Sequence, residues 1–300
     1  MEKKEFSAEI VDSGFSESYE SVREGVESLT INDKQLVEEK VVNAEFQSNC
    51  NSCPEEKENG YYFEGDEEGD SLLHLAIANG KDDLALRIID LASSASINAQ
   101  NKIGQTPLML AVITESLPVI RKLVDVGADL ELCDMNGNNI IHIVAVNGID
   151  RGLKELFTES LCRCSKELAA IYQVLLESRN AEGYTPFHLA VMNSYFGTAS
   201  LLKYIGSDVN AWDYKAGFSP LHHLVKMGNA WHVQNFINEF KPNIDARSYT
   251  GITPLQLTIG GNLDDIADIL IINGADTETE TDECYSWSKA HLREEMLMQY

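Results

Sequence analysis

Four histidines recur at one position of a repeated motif, and they are the side chains in this sequence most able to do chemistry. They are His74, His142, His188 and His222. Imidazoles in a regular series could bind a metal ion or act as general bases. The sequence, however, contains no nucleophile–base pair, no phosphate-binding loop and no HExxH motif that would complete such a site. We therefore expect these histidines to make structural hydrogen bonds, and we expect no catalytic residue, no cofactor and no enzymatic activity.

The six cysteines do not predict a metal site. Cys50 and Cys53 have the CxxC spacing of zinc ligands, but no second pair follows at the spacing that zinc requires. Cys162 and Cys164 are expected to be ordinary surface or packing residues. A chain of 300 residues with enough apolar residues for a full core does not need disulfides, so the cysteine content favours a reduced intracellular protein.

The histidines belong to a motif that occurs six times along the chain. One copy reads Gly-Tyr-Thr-Pro-Phe-His-Leu-Ala and occupies residues 183–190. The other copies begin at Gly69, Gly104, Gly137, Gly217 and Gly251. The steps between successive glycines are 35, 33, 46, 34 and 34 residues. Self-similarity at this period indicates a solenoid, in which each unit packs only on its neighbours.

Each unit carries the same series of helix signals. The glycine permits a turn with positive φ, Thr or Ser follows as the N-cap, and Pro takes the first helical position. After a short apolar helix and a polar break, a second helix has apolar residues three and four apart, as in Ile120, Leu123 and Val124. This helix ends at a glycine stop such as Gly127. The unit is therefore predicted to be a helix-turn-helix.

The unit resembles the ankyrin repeat, whose signature Thr-Pro-Leu-His-x-Ala lies near the start of 33 residues. The resemblance implies an all-α solenoid of six helix-turn-helix repeats joined by β-turn fingers. We place the repeats at about 69–103, 104–136, 137–182, 183–216, 217–250 and 251–276. Residues 67–276 would form this domain, between a disordered acidic tail at 1–66 and a short acidic tail at 277–300.

Repeat three is about 12 residues longer than repeat four. The surplus falls within residues 158–178, where Glu167–Leu176 has a helical pattern. An insertion in a solenoid forms a loop or an extended helix on one face. We therefore expect the stack to continue through this repeat.

The formal net charge of −25 is concentrated at the ends of the chain. Residues 1–70 alone contain 20 acidic and 6 basic side chains. This acidity argues against direct nucleic-acid binding, which depends on Lys and Arg contacts to phosphate. It favours a basic protein partner, although it could also serve solubility. The first residues lack the apolar core of a signal peptide, and no apolar run approaches the roughly 18 residues of a membrane span, so no membrane partner is expected.

The N-terminal tail contains Asp12-Ser13-Gly14-Phe15-Ser16-Glu17-Ser18. This stretch is similar to the phosphodegron Asp-Ser-Gly-x-x-Ser, which a β-TrCP-type ubiquitin ligase reads after phosphorylation. Such a tail ahead of six ankyrin repeats resembles the inhibitor-of-κB family, the inhibitors of NF-κB/Rel transcription factors that include insect Cactus. The motifs at 69–77, 106–114 and 251–258 also look like that family's first, second and sixth repeats. Glu17 occupies the place of the second degron serine, so either its charge or Ser18 would complete the motif.

The family resemblance implies a function and a set of residues. The protein would be a cytoplasmic inhibitor, able to pass through the nucleus, that binds a Rel dimer and covers its basic nuclear localisation segment. Glu67, Glu68 and Asp70 would contact that segment, while Tyr249 and Ile259 would contact the Rel dimerisation domain. An IκB-kinase-type kinase would phosphorylate the degron, and Lys3 and Lys4 would accept ubiquitin. No homo-oligomer is expected.

Two alternatives to this function remain open from the sequence. A nuclear IκB-like co-regulator of Rel factors would share the repeats, although nuclear members of the family lack the degron around Ser13. A general ankyrin adaptor, such as a substrate receptor of a ubiquitin ligase, would need an added F-box or SOCS-type segment, and none is seen. The sequence does not specify the Rel partner or the kinase.

Overall fold

The computed structural model describes residues 69–162, 166–261 and 263–277, and within these ranges every regular element is a helix. The helices form six pairs that match the six repeats. The first helices are Leu72–Ala78, Pro107–Ile113, Ile140–Asn147, Pro186–Met192, Pro220–Met227 and Pro254–Gly261. The second helices are Asp82–Leu91, Leu117–Asp125, Asp150–Cys162, Phe196–Ile205, Ala230–Phe240 and Asp264–Ile272. Two further helices are Ser94–Ile97 and Lys166–Glu177. The predicted fold class is confirmed, and none of these helices is long and apolar enough to cross a membrane.

The predicted caps begin the first helices. Thr106, Thr185 and Ser219 each occupy the N-cap with an extended backbone, and a proline follows each of them at the start of the helix. Repeat three lacks both Thr and Pro, and Asn139 takes the cap position instead. Its Oδ1 accepts hydrogen bonds from the main-chain N–H of Ile141 at 2.9 Å and of His142 at 3.0 Å. Polar cap side chains therefore satisfy helix N–H groups that have no partner within the helix.

The core is continuous along the stack. Each first helix packs on its own second helix and on the first helices of the neighbouring repeats. The motif alanines Ala76, Ala111 and Ala190 are fully buried where these helices meet, and their small side chains allow the helices to approach closely. Between repeats four and five the ring of Phe187 packs edge-on against Phe240 at a centroid distance of 5.5 Å. Since each repeat buries its apolar face only against its neighbours, the stack is the unit that folds.

Repeat three accommodates its extra residues as a pair of helices. The second helix Asp150–Cys162 is followed by Lys166–Glu177, which packs against it and against the first helix of repeat four. The rings of Phe157 and Tyr172 lie 4.4 Å apart between centroids, and the Tyr172 hydroxyl donates to the carbonyl of Leu156 at 3.1 Å. The predicted helical insertion within 158–178 is confirmed, and the stack continues past it.

Candidate functional site

The four motif histidines are fully buried, and each of them joins two repeats. Nε2 of each imidazole donates to a main-chain carbonyl of the following repeat at 3.0–3.2 Å. The pairs are His74 with Gln105, His142 with Tyr184, His188 with Phe218, and His222 with Ile252. On the other side of each ring, Nδ1 lies 2.7–2.9 Å from the cap oxygen of its own helix. The predicted structural role of these histidines is confirmed.

Burial favours the neutral form of three of these imidazoles by lowering their pKa. Removal from water lowers the pKa of His142 to about 4, that of His188 to about 3 and that of His222 to about 4. At His222 the main-chain N–H of Ser219 donates to Nδ1 at 3.1 Å, so the single ring proton is on Nε2. Both nitrogens of this ring are therefore occupied by the fold. Within the described ranges, no group of three or more His, Cys, Asp and Glu residues is placed to bind a metal ion.

The turns between repeats form a row of fingers, whose tips are residues 101–104, 134–137, 180–183, 213–217 and 248–251. A main-chain N–H of each later finger donates to a carbonyl of the finger before it. The pairs are Met135 to Ile103 at 3.0 Å, Ala181 to Asn136 at 2.9 Å, Tyr214 to Gly183 at 3.3 Å and Tyr249 to Ala216 at 3.0 Å. Gly217 has a φ of +71°, and a Cβ there would lie only 2.6 Å from the Tyr249 ring. Glycine is therefore required for this close stacking.

The fingers that follow repeats four and five expose a cluster of aromatic side chains. Trp212, Tyr214 and Tyr249 are 55%, 64% and 60% exposed. The guanidinium of Arg179 lies 4.6 Å from the centre of the Tyr214 ring, and its Nε donates to the carbonyl of Trp212 at 3.1 Å. We call these four residues the finger aromatic surface. Trp, Tyr and Arg are the residue types that contribute most to protein–protein binding, and here three exposed rings lie on the fingers with the half-buried Arg179.

The predicted partner-binding residues lie at the two ends of the stack. Tyr249 belongs to the finger aromatic surface, and its hydroxyl donates to the carbonyl of Asp213 at 3.1 Å. Ile259 is half-buried on the first helix of repeat six. Asp70, at the start of repeat one, is half-buried and accepts a hydrogen bond from Nδ2 of Asn101 at 2.8 Å. The carboxylate of Asp70 therefore already takes part in the contact between the start of repeat one and the finger at 101–104.

The other predicted site residues lie outside the described ranges. They are the degron residues 12–18, the two lysines Lys3 and Lys4, and the acidic pair Glu67 and Glu68. Cys50 and Cys53 also lie there. The roles given to these residues stay predictions.

Comparison with known proteins supports the repeat assignment. A family model described as ankyrin repeats in three copies matches residues 73–167, and a model of the single ankyrin repeat matches residues 182–214. NF-kappa-B inhibitor alpha of Gallus gallus is 32% identical over 238 residues, which make up 77% of this chain and 72% of that protein. The chain belongs to the IκB family of ankyrin-repeat proteins.

Other relatives are similar over a comparable share of the chain. The NF-kappa-B p105 subunit of Mus musculus is 36% identical over 234 residues, which cover 75% of this chain but only 23% of that protein. The crystal structure of the ankyrin repeat domain of Bcl-3, described as a unique member of the IκB protein family, superposes with a TM-score of 0.63 at 30% identity. That match covers 72% of this chain and 91% of the Bcl-3 chain.

Sequence reasoning found only part of the candidate surface of this IκB-family chain. It predicted Tyr249 but missed Trp212, Tyr214 and Arg179. One signal was available, because Trp212 and Tyr214 flank Asp213 in a segment that the repeat pattern assigns to a turn, where polar residues are usual. Two exposed aromatic residues at a turn gain nothing from burial in the core, which makes them candidates for a binding surface.

Proposed function

We propose that this IκB-family protein binds a dimer of Rel transcription factors through its ankyrin stack and retains it in the cytoplasm. In this proposal the first repeat covers the basic nuclear localisation segment of the Rel dimer, and the finger aromatic surface contacts its dimerisation domain. The observation that carries the proposal is the finger aromatic surface of this IκB-family repeat stack, with its three exposed rings and the half-buried Arg179. Desolvation of such side chains supplies affinity, whereas complementary charge mainly speeds and orients association.

The first test reverses the acidic charge ahead of repeat one. Glu67→Lys with Glu68→Lys is expected to slow association with a Rel homology region that includes its basic segment, by about tenfold at low salt. The loss should shrink as salt rises, because the Debye length falls from roughly 30 Å at 0.01 M to about 8 Å at 0.15 M. Association rate and Kd are measured by surface plasmon resonance at both salt concentrations.

Matched variants separate this charge effect from other causes. Asp265→Lys with Asp268→Lys makes the same change of charge on the second helix of repeat six, at the opposite end of the stack, and should leave the rate nearly unchanged. The charge of Asp70 is better removed by Asp70→Asn than by Asp70→Lys, because the amide oxygen of Asn can still accept the hydrogen bond from Asn101. Equal rates for wild type and the Glu67/Glu68 variant at low salt would exclude a basic partner at repeat one.

The proposal also includes control of abundance through the N-terminal tail. A phosphate on Ser13 adds about −1.5 to −2 charges and three acceptor oxygens, which suit an arginine-lined groove of a ubiquitin ligase. Ser13→Ala is therefore expected to prolong the half-life several-fold in stimulated cells with protein synthesis blocked. Lys3→Arg with Lys4→Arg should have a weaker effect in the same direction.

Ser7→Ala, a serine of the same tail outside the motif, is the matched control for Ser13→Ala. Equal half-lives of wild type and the Ser13→Ala protein would disprove the degron and leave the Rel-binding repeats untouched. Imaging in the same cells tests the alternative function. A protein that is nuclear both before and after stimulation would identify a nuclear co-regulator of Rel factors instead of a cytoplasmic inhibitor.

A further inference from the structure

Repeat five carries a histidine where the other repeats carry an aliphatic residue. His223 follows the motif histidine His222 directly in sequence. The residues at the same position of the other repeats are Leu75, Leu110, Ile143, Leu189 and Leu257. An imidazole in this place costs apolar burial, and yet His223 is buried. Its polar contact therefore needs an explanation that the repeat pattern does not supply.

The finger next to His223 is also built differently. In the other four fingers, three steps separate the polar residue at the start of the tip from the glycine at its end, as from Asn180 to Gly183. Four steps separate Asp213 from Gly217, so this finger is one residue longer. A longer turn has more conformations available to it, and a fixed geometry requires additional contacts.

Asp213 and His223 provide these contacts. Oδ1 of Asp213 accepts hydrogen bonds from the main-chain N–H of Ala216 at 2.8 Å, Gly217 at 2.9 Å and Phe218 at 3.2 Å. Oδ2 lies 2.8 Å from Nε2 of His223, which donates to it, and both side chains are almost fully buried. In the finger at 134–137, by contrast, the second oxygen of Asp134 accepts from Nδ2 of Asn138, four residues further along the chain. In the finger between repeats four and five, the carboxylate is thus tied to a side chain of the following helix.

The surroundings of His223 fix the orientation of its ring. Tyr184 packs edge-on against it at a centroid distance of 5.3 Å, and His188 does so at 5.7 Å. Phe218 approaches it at 5.7 Å in the same T-shaped manner. Burial raises the pKa of Asp213, but the hydrogen bonds from His223 and from the main chain outweigh this effect and hold the pKa well below its usual range. The carboxylate is therefore ionised and acts as a fixed acceptor throughout the neutral range.

The finger aromatic surface is attached to this pair of residues. Trp212 and Tyr214 are the chain neighbours of Asp213, and the Tyr249 hydroxyl donates to the Asp213 carbonyl. We propose that His223 is a positioning residue, which through Asp213 holds the long finger in one conformation and so presents the aromatic side chains to the partner. This inference rests on the proposed binding function of that surface. Rigid presentation raises affinity because less conformational entropy is lost on binding.

Replacement of His223 by the residue of the other repeats tests this positioning role. His223→Leu fills the site with an aliphatic side chain, but it removes the donor to Oδ2 of the buried Asp213 carboxylate, which costs stability. Asp213 in this variant keeps its three main-chain donors. We expect a lowered unfolding midpoint, and amide hydrogen exchange at Ala216, Gly217 and Phe218 that becomes about tenfold faster than the lower midpoint alone accounts for. Binding to a recombinant Rel homology region should weaken by about tenfold, as after loss of one hydrogen bond to a charged group.

His223→Gln is the conservative variant, because its Nε2 can donate from nearly the same place. It should restore slow amide exchange and most of the affinity, which a merely space-filling role of His223 would not predict. Asp213→Asn gives a second measurement if His223→Leu does not fold, since it keeps the acceptor for the main chain and removes the charge that His223 faces.

The outcomes are distinguishable. Unchanged exchange and unchanged affinity in His223→Leu would overturn the proposal, as would a parallel loss of stability and affinity that Gln does not restore. If wild-type protein fails to bind the Rel homology region, the proposed function fails, and the amide exchange of the free protein still decides whether His223 fixes the finger.

Discussion

Acidification from pH 7 to pH 4 is expected to unfold the repeat stack. The pKa values of His142, His188 and His222 are lowered to about 4, 3 and 4 by burial, whereas an exposed histidine titrates near 6.5. Since these pKa values are lower in the folded than in the unfolded state, the unfolded chain binds protons first as the pH falls. The stability is therefore complete above about pH 6.5 and is lost progressively as the pH falls toward the folded pKa values.

The size of this effect follows from the shifts. One pKa unit corresponds to about 1.4 kcal/mol, so each of these histidines costs roughly 3 kcal/mol of folding free energy at pH 4. Three such terms are comparable to the 5–15 kcal/mol by which a typical domain is stable. Asp213 adds little to this loss, because its pKa is lowered by folding and an Asp in the unfolded chain titrates near 3.9, so that its stabilising contribution is lost mainly below pH 4. Urea denaturation followed by circular dichroism at pH 7, 6, 5 and 4 measures the change.

The chain itself provides the control for this experiment. In repeat six Gln256 occupies the position of the motif histidine, and its Oε1 accepts from the main-chain N–H of Thr253 at 2.9 Å. Replacement of His142, His188 and His222 by Gln should therefore lower the stability at pH 7 moderately but flatten its dependence on pH. If wild type and the triple variant lose the same free energy between pH 7 and pH 4, the histidines do not account for the acid sensitivity.

Much of the fold could be predicted because the same helix-start and helix-stop residues recur in each repeat. Thr106 with Pro107, and Thr185 with Pro186, specify where a helix begins, and these local signals do not depend on the rest of the chain. The histidine role was predictable for the same reason, since the cap oxygen lies three residues before each ring. The long third repeat was also visible as a helical pattern at 167–176.

The candidate surface could be predicted only in part, because it depends on contacts between repeats. Tyr249 reaches Asp213, the residue between Trp212 and Tyr214, only after fingers 213–217 and 248–251 have stacked through main-chain hydrogen bonds. Likewise, no spacing rule pairs Asp213 with His223, ten residues away, because the extra residue of the finger decides where the carboxylate lies. Asp70 shows the converse case. The sequence suggests that Asp70 is a free surface charge, but in the structure its carboxylate accepts a hydrogen bond from Asn101.

Removal of the exposed rings of the finger aromatic surface is expected to cost the most affinity of any change that leaves the fold intact. Large aromatic anchors at the centre of an interface typically contribute 2 kcal/mol or more, so Trp212→Ala or Tyr249→Ala should each weaken binding to a Rel homology region about 30-fold. Tyr249→Phe removes only the hydroxyl that donates to Asp213 and should lose much less. Isothermal titration calorimetry measures these constants.

A second exposed tryptophan makes the test specific to the fingers. Trp231 is 65% exposed at the start of the second helix of repeat five, where it packs edge-on against Phe196. This end of the helix follows the turn within the repeat, away from the fingers, so Trp231→Ala removes as large a ring without touching the proposed contact. We expect Trp231→Ala to bind as wild type does. If Trp231→Ala loses as much affinity as Trp212→Ala, the partner does not bind the fingers specifically. If binding is unchanged after Trp212→Ala and Tyr249→Ala together, the finger aromatic surface does not bind the partner, and the proposed function loses its main support.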